Sequence, residues 1–322
     1  MATTTLNAEQ VITDVAARCR NWGRWGADDA LGTVNFITAE KRVQAAALVR
    51  KGVTISLSQS FDMDGPQKGW RRRTNPVHTM IDSGTDAACG VQGFPHGFGG
   101  ADDVIFMPLQ ASTQWDGLGH IFDHGKAWNG RPAGEVVTGA GDQVTGIEHL
   151  ASPVVSRGVL LDVGQVCGEN GELPDGFAIT DEQLTATITA QGPTSTVGRG
   201  DIVVVRTGRL ARARREGWGD YAGGDSPGLS FGTADWLHRT EIAAIATDTW
   251  GFEVRPNELP DAFQPLHQVV IPNMGLLIGE MWDLDTLASD CAADGVYEFL
   301  LTAPPLKVTG AVGAPLNPIA MK

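Results

Sequence analysis

Met107-Pro108-Leu109-Gln110-Ala111-Ser112-Thr113-Gln114-Trp115-Asp116-Gly117-Leu118-Gly119-His120 is the stretch on which the reading of this 322-residue chain turns. It follows Val104–Met107, a short apolar run that reads as a buried strand. Its polar residues therefore fall where a strand end meets the outside, a common place for reactive groups in β-rich enzymes. Side chains alternate along an extended segment, so Gln110, Ser112, Gln114 and Asp116 would share one face while Trp115 turns toward the core. Asp116 and His120 stand four residues apart with Gly117 and Gly119 between them. Glycine permits a tight backbone path, and a carboxylate and an imidazole brought together can hold a water, free or metal-bound, and move its proton. Spacing alone suits equally well a polar strand edge with a hydrogen-bonded loop histidine.

Around this stretch, short β-branched runs at Val53–Leu57, Val159–Val163, Ile202–Val205 and Ile242–Thr247, bounded by Gly, Pro or Asp, predict further buried strands. Helices are expected from Asn7 to about Arg20, from Thr38 to Lys51 with Gly52 beyond, from Thr180 to Gln191, from Thr233 toward His238, and over Asp285–Ala293. Trp22 and Trp25, set among glycines, read as covering a core edge rather than lining a pocket. Ser60–Gly100 reads as one long Gly-rich loop, a length that usually marks function. There is no internal repeat and no composition break, so an α/β fold with mixed sheets in one structural unit is expected.

Lys plus Arg number 24 against 38 Asp plus Glu, a net charge of -14. Such a surface repels phosphate backbones and anionic lipid, which argues against nucleic-acid or membrane partners. The one basic run, Arg71-Arg72-Arg73, reads as a solvated loop rather than an anion site. No segment reaches the ~18 apolar residues of a membrane span. Met1-Ala2-Thr3-Thr4-Thr5 lacks the pattern of a secretory leader, and Cys19, Cys89, Cys167 and Cys291 form no C-x-x-C pair. A cytoplasmic protein without cysteine zinc sites is expected. Gly228-Leu229-Ser230-Phe231-Gly232 fits G-x-S-x-G, with Asp248 and His267 following in triad order, but a turn-rich loop rather than a strand precedes it. Arg199-Gly200-Asp201 reads as a turn and Gly97-Phe98-Gly99-Gly100 as a flexible loop.

The opening stretch resembles the cyclase family of metal-dependent hydrolases, which includes kynurenine formamidases and isatin hydrolases. Against the signature H-x-G-T-H-x-D-x-x-x-H, Thr113, Asp116 and His120 stand in register, while Gln110 and Gln114 occupy two histidine positions. Gly200–Gly208, Gly228–Leu229 with Ala234–Leu237, and Pro305–Gly310 with Gly313–Pro315 are similar to later family segments, and the likeness runs from about Asp102 to the C-terminus. It implies a swivelling β/β/α cyclase-like fold over 101–322, with 1–100 as an N-terminal helical extension and long loop packed on it. It also implies metal ligands at Asp116, His267 (in Gln264-Pro265-Leu266-His267) and Glu280 (in Gly279-Glu280-Met281-Trp282), with Gln110 and Gln114 as further candidates, for Mn²⁺ or Zn²⁺. A homodimer or homotetramer is implied in the same way.

The expected activity is hydrolysis of a C–N bond in a small amide, formamide or cyclic amide. His120 and Asp116 would be catalytic, and Gln110, Gln114 and His78 would bind substrate. Because an amide oxygen is a poor replacement for imidazole toward zinc, two alternatives stand beside it. One is a metal-free cyclase, lactonase or dehydratase on the same fold, working through His120, Asp116 and His267. The other is a catalytically inactive small-molecule binding protein. His96 and His124 are weaker candidates near the site, and His149 and His238 read as surface residues.

Overall fold

The computed structural model describes residues 7–322; the Met1–Thr5 stretch read for a leader lies outside them. Nine strands form one mixed sheet: β1 Thr54–Ser56, β2 Gln114–Asp116, β3 Val155–Asp162, β4 Ile202–Arg206, β5 Ala244–Thr247, β6 Leu277–Glu280, β7 Glu298–Thr302, β8 Gly313–Pro315 and β9 Ile319–Met321. Their spatial order is β1-β9-β7-β3-β4-β5-β6-β2-β8. The central four, β3 to β6, run parallel, and antiparallel pairings flank them on both sides.

Parallel central strands must be apolar on both faces, and β4 and β5 are. Val203, Val205 and Ile245 pack into one apolar cluster with Ile12, Leu184 and Trp236. Ile202, Val204 and Ala246, one residue out of phase, pack into a second with Trp115, Trp282 and Leu287. The mixed α/β architecture expected from the sequence is therefore the one observed. No helix among the described residues is long and apolar enough to cross a membrane.

Local signals hold where the chemistry is local. Thr180 and Gln183 form a reciprocal capping box on helix Asp181–Gln191, and Thr38 accepts a hydrogen bond from the Lys41 amide at the start of helix Ala39–Ala46. That second helix stops well short of Lys51. Helix Ala8–Arg18 follows Asn7, whose side chain caps nothing. Trp25 packs edge-on to Phe36, and Trp22 donates to the Pro272 carbonyl, so this pair covers a core edge.

Two expectations fail. Val104–Met107 is not a buried strand: the strand observed there, Asp102–Phe106, is exposed along its length and pairs with Val77–Asp82 in a separate two-stranded hairpin. Apolar composition made the run look internal, but the hairpin stands off the sheet. Nor is Ser60–Gly100 one loop. It contains that hairpin's first strand and a helix at Gly84–Ala88, capped reciprocally by Ser83 and Asp86. β1 meanwhile brings residues 54–56 into the main sheet through β9.

Candidate active site

Strand β2 is only three residues long, yet it sets the site. It lies between β6 and β8, with Glu280 opposite Gln114 and Ile278 opposite Asp116. Cross-strand partners share a face, so Gln114, Asp116 and Glu280 project together. The Gln114 Nε2 donates to Glu280 Oε2 at 2.8 Å and to Asp116 Oδ1 at 3.3 Å. Trp115 points the other way, as alternation requires, and its ring meets Trp282 at 4.8 Å, an aromatic pair worth about 1 kcal/mol beyond its burial.

The chain then turns through Gly117 and Gly119. A Cβ on Gly117 would lie 2.8 Å from the Val312 carbonyl, and one on Gly119 would strike the Asp142 carboxylate. Both positions must stay bare for the turn to pack, and the turn returns the His120 Nε2 to 3.7 Å from Asp116 Oδ1.

His267 arrives from the short helix Pro265–Val269. The Glu253 carboxylate builds that approach: it accepts from the backbone amides of Leu266 at 3.1 Å and His267 at 2.9 Å. It also lies 2.5 Å from the His267 Nδ1. This fixes the ring and leaves its Nε2 3.3 Å from Glu280 Oε1. Ligand atoms of Asp116, His267 and Glu280 all fall within 4.8 Å of one another.

Gln114, Asp116, Glu253, His267 and Glu280 are buried and His120 nearly so, and their charge states follow. Burial opposes a charge on His267, but Glu253 and Glu280 outweigh it and hold the imidazole up at about 10. Burial, joined by the charge of Asp116, lifts Glu280 to about 7 against the pull of His267. Burial likewise lowers His120, with Arg73, Arg71 and His267 pushing the same way and Asp116 opposing. His120 is thus kept in the neutral form that can accept a proton.

The donor set fits a divalent cation. Asp116, His267 and Glu280 offer the carboxylate oxygens and the imidazole nitrogen that divalent ions such as Mn²⁺ and Zn²⁺ take. A histidine whose Nδ1 is held by a carboxylate presents its Nε2 as metal-binding histidines do. The Gln114 Oε1 is buried without a hydrogen-bond partner among the described residues. Asp116, His267 and Glu280 would hold such an ion.

The remaining sequence candidates divide. Gln110 lies in the turn before β2 rather than on the strand, its Nε2 2.8 Å from where a Cβ of Gly313 would stand, and it does not join the cluster. The even-residue face assumed for 110–116 is real only over 114–116. His78 is half exposed on the hairpin, bonded to Asp103 at 2.8 Å, and does not line the cavity; the hairpin that carries it points outward. His96 is exposed, and His124 pairs with Asp123 and Glu9 away from the cluster. Ser230 bonds Glu258, and Asp248 accepts from Thr207 and Gly208, so no serine triad forms.

Sequence reasoning missed Glu253, which no motif marks, and it did not bring the basic run to the site: Arg71 is exposed, as expected of a solvated loop, but Arg73 is buried. Both line a small cavity with Asp116, His120, His267 and Glu280. Its void of about 10 Å³ is near the lower limit for one water. Arg71, His120 and His267 also border an outer cleft of about 290 Å³ that includes Phe122 and Phe263.

The fold and this buried histidine-carboxylate cluster define an α/β protein with a mixed central sheet and a charged, buried site. The "Putative cyclase" family model matches residues 53–254, and the chain belongs to the cyclase family. The match begins well before Asp102, where the likeness read from the sequence starts. The chain is similar to the crystal structure of a novel cyclase, with 38% identity over 95% of this chain and 99% of that one and a TM-score of 0.85. It shares its fold with isatin hydrolase A from Labrenzia aggregata, bound to benzyl benzoate, at 19% identity over 86% and 94% of the two chains and a TM-score of 0.59. It also shares it with a predicted metal-dependent hydrolase from Bacillus stearothermophilus, at 17% identity over 84% and 98% and a TM-score of 0.53. A comparison with curated proteins finds no match.

Proposed function

We propose that this chain is a hydrolase that cleaves a C–N bond of a small amide, formamide or cyclic amide through an activated water. One observation carries the reading: ligand atoms of Asp116, His267 and Glu280 converge within 4.8 Å along one small cavity, with His120 3.7 Å from Asp116. The names of the fold relatives, isatin hydrolase and metal-dependent hydrolase, support it. A divalent ion on Asp116, His267 and Glu280 would supply polarisation of the carbonyl and a lowered water pKa. His120, held neutral by burial, takes the proton from the attacking water and returns it to the leaving nitrogen. Asp116 orients His120, Glu253 locks His267, and burial of the cluster excludes competing water.

A metal-free cyclase, lactonase or dehydratase is the second reading, and a specific contact favours it. The Gln114 amide already donates to both Asp116 and Glu280, occupying the space between them with its own positive end. Elemental analysis of protein purified without chelator, followed by assays on formanilide, a cyclic imide and a lactone before and after chelator, separates the two. Amide hydrolysis lost with the metal and restored by Mn²⁺ or Zn²⁺ supports the first. Metal-free protein that is fully active on the lactone supports the second.

The family resemblance implies a homodimer or homotetramer, and we propose a second copy of the chain as the cover for the exposed hairpin. Val77, Met80, Ile81, Val104, Ile105 and Phe106 are all exposed on it. An isolated two-stranded hairpin is only marginally stable in water, so apolar residues in this position need cover.

A further inference from the structure

Most arginines of this chain meet a carboxylate: Arg157, Arg206, Arg212 and Arg215 are examples. Arg71, Arg73 and Arg255 are different. Among the described residues, none of their guanidinium groups pairs with a carboxylate or donates a hydrogen bond; their near neighbours are the rings of Trp70, Trp250 and Phe263. The Arg255 Nη1 is buried without a partner. In a chain of net charge -14, unpaired guanidinium groups do not reflect a shortage of carboxylates. Leaving a cation partly buried and unpaired is costly, and Arg73 is only 8% exposed.

Arg73 and Arg71 line the same small void as Asp116 and Glu280, and Arg71 also borders the roomier outer cleft of about 290 Å³. Arg255 stands 5.9 Å from the ring of Phe263, which borders that cleft. Arg73 alone would suit a plain counter-charge to Asp116 and Glu280. Arg71, which is exposed and also borders the outer cleft, is not needed for that purpose.

We propose that Arg71 and Arg73 bind a carboxylate carried by the substrate, so that the molecule is a small organic acid held with its scissile carbonyl toward Asp116 and His120. A planar guanidinium matches a carboxylate through paired N–H donors. A singly charged group is favoured over a phosphate dianion because Asp116 and Glu280 lie in the same cavity and repel the second charge. The orientation in this inference rests on the proposed hydrolysis, whereas binding of an acid does not require turnover.

Calorimetric titration of the full chain with benzoate, benzamide and inorganic phosphate tests it. Benzoate is expected to bind, with affinity falling about 10-fold or more in Arg71→Gln and in Arg73→Gln, the loss of one charge-assisted contact. Benzamide and phosphate are expected to bind more weakly than benzoate. Arg71 is exposed, so Arg71→Gln carries the test even if Arg73→Gln fails to fold. Benzoate that does not bind, or that binds Arg71→Gln as tightly as the unaltered chain, overturns the proposal; the latter result would place the acid on a metal instead. Phosphate or benzamide binding more tightly than benzoate overturns it as well. Normal benzoate binding in a chain that hydrolyses no amide would sink the proposed reaction and leave the carboxylate site standing. Brisk hydrolysis of neutral formamides with no response to either substitution would do the reverse.

Discussion

The hairpin at 77–106 and the strand at 114–116 lie a few residues apart in the chain and break the same rule in opposite directions. The hairpin exposes Ile81 and Phe106, at 65% and 75%, although both are strongly apolar. The strand buries Gln114 and Asp116 at 0% and 2%, although both are polar. Exposed apolar patches and buried polar groups are the informative departures in a folded protein, because each costs stability that something else must recover. At the hairpin the proposed recovery is a second copy of the chain. At the strand it is a network that links Gln114, Glu280, His267 and Glu253 by hydrogen bonds and leaves the Gln114 Oε1 without a partner among the described residues.

The sharpest way to break this comparison is at Asp116. Asp116→Asn keeps the volume and the strand but removes the charge that orients His120, and turnover should fall at least ~10²-fold with the melting temperature nearly unchanged. Near-normal turnover would show that the buried polar face is structural only. Glu253→Gln should come next, with a loss of about 10- to 100-fold in metal affinity or activity as the His267 ring is freed, measured by metal titration beside circular dichroism. A variant that binds metal and turns over normally would remove Glu253 from the site.

The two glutamines offer a comparison within the stretch itself. Gln114→His should raise Zn²⁺ or Mn²⁺ affinity several-fold, because position 114 faces Asp116 and Glu280, whereas Gln110→His should leave it unchanged. Equal responses at both positions would restore the continuous polar face that the structure denies. At the hairpin, Ile81→Lys with Phe106→Lys should shift the mass measured by light scattering toward a single chain without altering the far-ultraviolet spectrum. An unaltered chain that is already monomeric would end the proposal of a covering copy.

The smallest effect lies outside both regions. Burial opposes the charge on Asp294, yet Lys51 and Lys322 hold its carboxylate down at about 2. A lowered folded-state pKa means that this contribution is present above the unfolded value and is lost as pH falls from about 4 toward 2. Asp294→Asn should therefore lower the melting temperature slightly at pH 7, with the difference vanishing near pH 2. A difference that persists there would assign the effect to packing rather than charge.

Several features were legible because their causes are local. The capping box at Thr180 and Gln183, the apolar runs of β4 and β5, and the turn glycines at Gly117 and Gly119 each depend on residues within a few positions of one another. The resemblance carried by Thr113, Asp116 and His120 also pointed to His267 and Glu280, which the fold does bring beside Asp116. Gln110 misled because alternation was extended across a turn that no local signal announced. Val104 to Met107 misled because composition reports apolar character and not what lies against it.

By itself the sequence determined the α/β class, the acidic surface, the alternation that sends Trp115 into the core and Asp116 away from it, and the family. Only the tertiary structure decided which charges meet. Glu253 reaches His267 across 14 residues, and Gln114 reaches Glu280 across 166. Arg73 is buried rather than solvated, and together with the exposed Arg71 it lines the cavity. The physical reason is that the energy of a charge depends on its distance to others and on how much water remains between them. Strand order and burial set both quantities, and no short window of sequence contains either.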